Sequence, residues 1–169
     1  MLNINILSQR LAISHINNLP DDFLPSLGIG YLARFYRFIY SSPLEEVIIY
    51  KSATCIITKE ASSLWKRAMI HTLPFFLFAI ILKVLNKKFW KYLCGYKEYS
   101  NPSPQIAFMF SNELGKGHGS ELLKNCNLSP LYVKTLKGGK AESFYKKNGF
   151  TEYDSFECLR RKYIMLIRH

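Results

Sequence analysis

Phe108-Met109-Phe110-Ser111-Asn112-Glu113-Leu114-Gly115-Lys116-Gly117-His118-Gly119-Ser120-Glu121-Leu122-Leu123 is an apolar run that breaks into alternate glycines and resumes as a helix pattern. The apolar stretch starts at Gln105 and is bounded by turn residues, which predicts a strand buried on both faces. Glycines at every second place let the backbone approach a ligand without Cβ clashes, and the free amides at the start of the following helix point at the same spot. Lys116 adds positive charge. The pattern alone describes two things equally, an anion cradle and a plain tight turn. It is not the phosphate loop of nucleoside triphosphatases, because no second lysine followed by Ser or Thr closes it. It is a poor dinucleotide fingerprint too, since Gly119 falls one place too early.

Downstream, Ala141-Glu142-Ser143-Phe144-Tyr145-Lys146-Lys147-Asn148-Gly149-Phe150 reads as a short helix closed by Asn-Gly, two residues that tolerate the left-handed conformation of a C-cap. Together the two segments resemble the acyl-coenzyme A binding motif and the following motif of the GNAT superfamily of N-acetyltransferases. In that family a strand feeds a loop written Arg/Gln-x-x-Gly-x-Gly/Ala, and a later helix reads Ala-x-x-Phe-Tyr-x-x-x-Gly-Phe. Gly117 and Gly119 match the loop, and Ala141, Phe144, Tyr145, Gly149 and Phe150 match the helix. The match is close over residues 105–154 and looser in front of them.

The resemblance implies an α/β (α+β) fold with a central mixed β-sheet flanked by helices. The sheet would splay between its fourth and fifth strands, the pantetheine arm would lie in the gap, and a helical insert at about 62–93 would precede strand four. It implies one domain over residues 1–169 and transfer of an acyl group, taken as acetyl from acetyl-coenzyme A, to a primary amine of a small molecule. The pyrophosphate would sit on the amides from Gly115 to Ser120, and the implied coenzyme-binding set is Phe110, Leu114, Gly115, Lys116, Gly117, His118, Gly119 and Ser120. Tyr145 is the implied acid that protonates the leaving thiolate, its alternative being a core aromatic at helical spacing. His118 faces solvent or the phosphates in this reading. No metal is implied.

Two positions depart from the family pattern. Leu114 stands where the loop carries Arg or Gln, so the pyrophosphate would be held mainly by backbone amides, with Lys116 as the nearby cation. Gly138 stands where an asparagine is frequent, three places before the helix alanine. The general base is not identified: Gln105 occupies a position that often holds a carboxylate. Glu60, Glu113, or a water chain from His15 or His71 are the candidates, each also readable as an ordinary surface group.

Composition sets the outer limits. The 169 residues with 49% hydrophobic content suit one ordinary domain and exclude disorder. Lys and Arg number 23 against 12 Asp and Glu, a formal net charge of +11, which suits a polyanionic partner such as an acceptor carrying phosphates, for example a nucleotide-linked amino sugar. No nucleic-acid motif accompanies the basic residues. Cys55, Cys94, Cys126 and Cys158 are far apart, without metal-ligand or disulfide spacing, and no signal-peptide pattern opens the chain, which places the protein in the cytoplasm. Leu73 to Leu82 is wholly apolar yet short of the ~20 residues of a spanning helix. With Lys83, Lys87, Lys88 and Lys91 behind it, it suits a core helix with a basic end or peripheral contact with an anionic membrane. A non-catalytic basic module that binds coenzyme A or another anion, or docks to a membrane, is the alternative to an enzyme.

The remaining elements follow from periodicity. Arg10 to Ile16 reads as a short strand, Leu19 to Phe23 as a helix opening, and Leu27 to Tyr40 as an amphipathic helix. Val47 to Tyr50 and Thr54 to Thr58 form an antiparallel pair. Ser62 to Ile70 and Pro74 to Tyr92 read as two helices, closed off by Ser100-Asn101-Pro102-Ser103-Pro104. Leu131 to Thr135, Phe150 to Tyr153 and Tyr163 to Ile167 complete the strands.

Overall fold

The first strand expected from the sequence is a helix. The computed structural model describes residues 3–20, 22–83, 102–158 and 161–169, and in it Arg10 to Ile16 lies within helix α1 (Ile4–Asn18). Its buried residues, Ser8, Leu11, Ala12 and His15, recur at three- and four-residue steps, and the Asn3 side chain caps its start by accepting from the Asn5 amide. A one-turn α2 (Phe23–Ser26) follows, then Gly28 in the left-handed region at φ 90°, and α3 (Ile29–Ser41). The hairpin is β1 (Glu45–Tyr50) and β2 (Ala53–Thr58).

Between the hairpin and the next strand the described residues hold one helix, α4 (Leu64–Lys83), which joins the expected Ser62 to Ile70 helix to the start of the expected Pro74 to Tyr92 helix. Pro74 sits inside it and removes one backbone bond, to the carbonyl of Ile70, a residue 65% exposed whose turn water can reach. The remainder of the expected insert, to residue 93, and Lys87, Lys88 and Lys91 lie outside the described residues. Strand β3 (Gln105–Ser111), helix α5 (His118–Lys124), β4 (Leu131–Leu136), α6 (Lys140–Lys147), β5 (Thr151–Cys158) and β6 (Arg161–Arg168) complete the order.

The six strands form one mixed sheet in the order β1-β2-β3-β4-β6-β5. Every neighbouring pair is antiparallel except β3 and β4, which run parallel. That parallel ladder holds only Gln105 with Tyr132 and Ile106 with Val133, although β3 continues to Ser111 and β4 to Leu136. The expected opening is therefore present. It falls between the third and fourth observed strands because the segment expected as the first strand is helical.

Two apolar clusters cover the two faces. On one, α1, α2, α3 and α4 bury Leu11, Leu24, Leu32, Phe35, Ile39 and Ala68 against Ile56, Phe108 and Phe110. On the other, Leu122 and Leu123 of α5 and Tyr145 of α6 pack on Cys55, Ile57, Ile106, Val133, Ile164 and Leu166. Each fully buried aliphatic side chain contributes roughly 1.5–3 kcal/mol by leaving water. No described helix is long and apolar enough to cross a membrane.

Candidate functional site

The glycine loop starts from a stem fixed on two sides. Asn112 donates its amide to the Ser52 carbonyl in the β1–β2 turn at 3.0 Å. Its side chain donates to Ser14 Oγ at 3.1 Å and accepts from Asn18 Nδ2 at 2.8 Å, both on α1. Ser111 Oγ lies 3.1 Å from Ser52 Oγ, which is in turn 2.7 Å from His118 Nδ1. Glu113 Oε2 is 3.5 Å from the same ring nitrogen. The His118 side chain is thus turned toward the stem and only 15% exposed, so its ring is directed away from open solvent.

Three glycines of the loop do different work. Gly115 and Gly117 take φ 77° and 76° with open space where a Cβ would stand, so their need is conformational. Gly119 has another reason: a Cβ there would meet Met109 Cε and Phe144 Cζ at 3.2 Å each, so its lack of a side chain lets α5 close on β3 and α6. Gly117 is the N-cap of α5, and no side chain caps that end. The amides from Gly115 to Ser120 find no acceptor among the described residues. Lys116 is exposed beside them and Leu114 is 84% exposed, its apolar side chain projecting from the position where the family carries Arg or Gln. The Phe110 ring belongs to the first apolar cluster, 5.8 Å from that of His15.

The segment after β4 is organised differently. Gly138 takes φ 79° and donates its amide to Glu142 Oε2 at 2.6 Å, while Lys146 Nζ donates to the other carboxylate oxygen at 2.6 Å. Lys146 and then the Gly138 amide hold the Glu142 carboxyl below its ordinary range, and Glu142 in turn raises the Lys146 ammonium. This cap was not anticipated. Its signal was present, a glutamate three residues after a capping glycine.

The far end of α6 explains the rest of the second motif. The Phe150 amide donates to the Tyr145 carbonyl at 3.1 Å and the Gly149 amide to the Lys146 carbonyl at 3.2 Å, with Gly149 at φ 85°. This is a Schellman motif, and its accompanying apolar contact is Tyr145 on Phe150, edge-on with centroids 5.3 Å apart. Tyr145 is buried in the second cluster, and burial, reinforced by the Cys55 thiol, pushes its phenol well above the ordinary tyrosine range. The hydroxyl therefore stays protonated and able to donate.

The candidate bases are scattered. Gln105 is buried, its Nε2 directed at Met165 Sδ at 3.9 Å. Glu60 is an exposed partner of Arg67, and Glu113 sits beside His118. His15 is fully buried between Tyr36 Oη at 2.6 Å and Asp22 Oδ2 at 3.3 Å, and the exposed His71 ring lies 4.9 Å from that of Phe38. Among the described residues no group of three His, Cys, Asp or Glu side chains is placed to hold a metal ion.

No protein-family model and no curated protein matches the sequence. Solved structures do match the fold. An acetyltransferase crystal structure superposes with a TM-score of 0.65 at 16% identity, covering 98% of this chain and 95% of its own. An N-acetyltransferase from Staphylococcus aureus Mu50 superposes with a TM-score of 0.51 at 15% identity, covering 97% of this chain and 92% of its own. With its mixed six-stranded sheet opening between two parallel strands and a glycine loop at the end of the first, this chain shares the fold of these acetyltransferase structures.

Proposed function

We propose that the chain, acting as one domain, is an N-acyltransferase that takes acetyl from acetyl-coenzyme A. The observation that carries this reading is the two-residue β3–β4 ladder, which opens a gap directly before a loop whose amides from Gly115 to Ser120 find no acceptor among the described residues. The pyrophosphate is bound by the amides of Gly115 to Ser120 with Lys116 alongside, and the pantetheine arm extends its amides into the gap. Phe110 and Leu114 flank that path, Phe110 on the strand that forms one wall and Leu114 at the loop's edge.

The neutral amine of a small acceptor attacks the thioester carbonyl, the tetrahedral adduct expels the thiolate, and the Tyr145 hydroxyl supplies the proton to sulfur. A phenol kept neutral by burial is suited to stabilise a developing anion by donation, and is returned to its starting state by the proton shed from the amine. The basic surplus of +11 favours an acceptor that carries phosphates, a nucleotide-linked amino sugar being one such compound. The reaction needs no metal and is assigned to the cytoplasm.

The test is a thermal-shift series with acetyl-coenzyme A, desulfo-coenzyme A and matched salt, followed by thiol release over a panel of amines. Stabilisation by both coenzyme forms with amine-dependent thiol release is the expected result. Absence of any shift with either form overturns coenzyme binding; a shift with no thiol release from any amine class supports a binding module in place of an enzyme.

A further inference from the structure

We infer that the outer face of α4 seats on an anionic lipid bilayer, a property separate from the proposed chemistry. Along this helix Ala68 and Thr72 are buried, Thr72 donating to Tyr31 Oη at 3.2 Å on α3. The opposite side carries Lys66, Ile70, Leu73 and Leu77 at steps of four, three and four, and they share one face of the helix. Ile70 is 65% exposed, Leu73 48% and Leu77 50%. From Lys66 to Leu77 this is a continuous stripe about 16 Å long at the helical rise. Three large aliphatic side chains in a row on the surface are unlike singly scattered ones, and mark a contact.

Charge decides what the contact is. Neither α3 nor α4 contains an acidic residue, while Arg34, Arg37, Lys66, Arg67 and Lys83 are all cations. Arg67 is committed to Glu45 and Glu60. Lys66 and Arg37 are exposed without an ion pair among the described residues, and the Arg34 guanidinium lies 3.3 Å from the centroid of the Phe75 ring beside the stripe. A second copy of the chain docking by this face about a two-fold axis would set cation against cation, which disfavours self-association. The sequence also runs on without interruption as apolar past Pro74, with Phe75 to Leu82 carrying no polar residue. A groove on a protein partner reads one stripe, whereas acyl chains accept apolar surface at any register while anionic headgroups meet the flanking cations.

The full chain is floated with vesicles of phosphatidylglycerol and phosphatidylcholine, and with phosphatidylcholine alone, alongside sedimentation velocity without lipid. Binding to the anionic vesicles is expected, weaker by about tenfold or more for phosphatidylcholine alone and for Ile70→Glu/Leu73→Glu. Both positions are exposed, so Tm should be unchanged; if the double variant unfolds, Leu73→Gln must show the same ranking in milder form. Vesicle binding that the variants leave intact overturns the proposal, as does failure to bind anionic vesicles. A dimer that Leu73→Gln dissociates assigns the face to a second copy and overturns it as well.

Discussion

The chain contains two consecutive strand–turn–helix units, β3 to α5 and β4 to α6, and they finish their turns in opposite ways. Each helix is capped by a glycine, Gly117 or Gly139, with no side-chain bond from the cap itself. Three residues on, the second unit has Glu142, which turns back and accepts from the Gly138 amide. The first has Ser120 at the equivalent place, and its turn amides remain unmatched. One turn carries its own anion, and in the proposed reading the coenzyme pyrophosphate completes the other. The difference also divides the work, since the open turn would bind while the closed one fixes the helix that carries Tyr145.

The largest expected effect tests that division. Tyr145→Phe removes the donor and keeps the ring packed on Phe144 and Phe150, so kcat should fall by about 10²–10⁴ while coenzyme A affinity stays within a factor of about two. Steady-state kinetics beside calorimetric binding reads both; unchanged kcat would reduce Tyr145 to the apolar half of a helix stop. Next in size is Ser120→Glu, which makes the open turn imitate the closed one. Its carboxylate would compete with pyrophosphate for the loop amides, and Kd for coenzyme A should rise by roughly ten- to a hundredfold, with Ser120→Gln well short of that. If the glutamate binds coenzyme A as well as the serine does, the loop is not the anion site.

How far these units could be read from sequence depends on where their partners lie. Gly115, Gly117, Asn148 and Gly149 announce turns locally, because left-handed backbone favours those residues wherever it occurs. The β3 run, both helices and the later strands were accordingly placed within a few residues, save that β5 extends on to Cys158. The front of the chain was harder. Arg10 to Ile16 alternates and also repeats at helical steps, and what settles it is the burial of His15 against Tyr36, Phe108 and Phe110, none of them near in sequence. Ser52 at the stem and the orientation of His118 were likewise out of reach, because a hairpin turn meets the loop only after three strands have paired.

The glycines themselves give a smaller effect. Gly119→Ala gains helix propensity worth up to about 1 kcal/mol, but its Cβ enters at 3.2 Å from Met109 Cε and Phe144 Cζ. The methionine end can swing away, whereas the Phe144 ring is held edge-on to Tyr145 at 5.2 Å. The two effects nearly offset, so alanine should change stability by less than about 1 kcal/mol, against a loss of roughly 1–3 kcal/mol for Gly119→Val as overpacking dominates. Urea midpoints measure it; a stabilised valine variant would show that α5 does not close on α6 as described.

The smallest effect belongs to the turn that is already closed. Glu142 has its carboxyl depressed by Lys146 and the Gly138 amide, so its stabilisation is present above the ordinary carboxylate pKa and is lost as pH falls through the lower folded value. Lys146 has its ammonium raised by Glu142, so its share is present below the ordinary lysine pKa and is lost as pH rises through the higher folded one. Between those limits the pair is constant. Glu142→Gln keeps an acceptor for the Gly138 amide but removes the charge, and should lower Tm slightly at neutral pH and flatten its dependence at both the acid and alkaline ends. Because the Gly138 amide is already matched within the protein, coenzyme A affinity should not move; a weakened affinity equal to that of Ser120→Glu would mean the two turns are one site, and the contrast between them would fail.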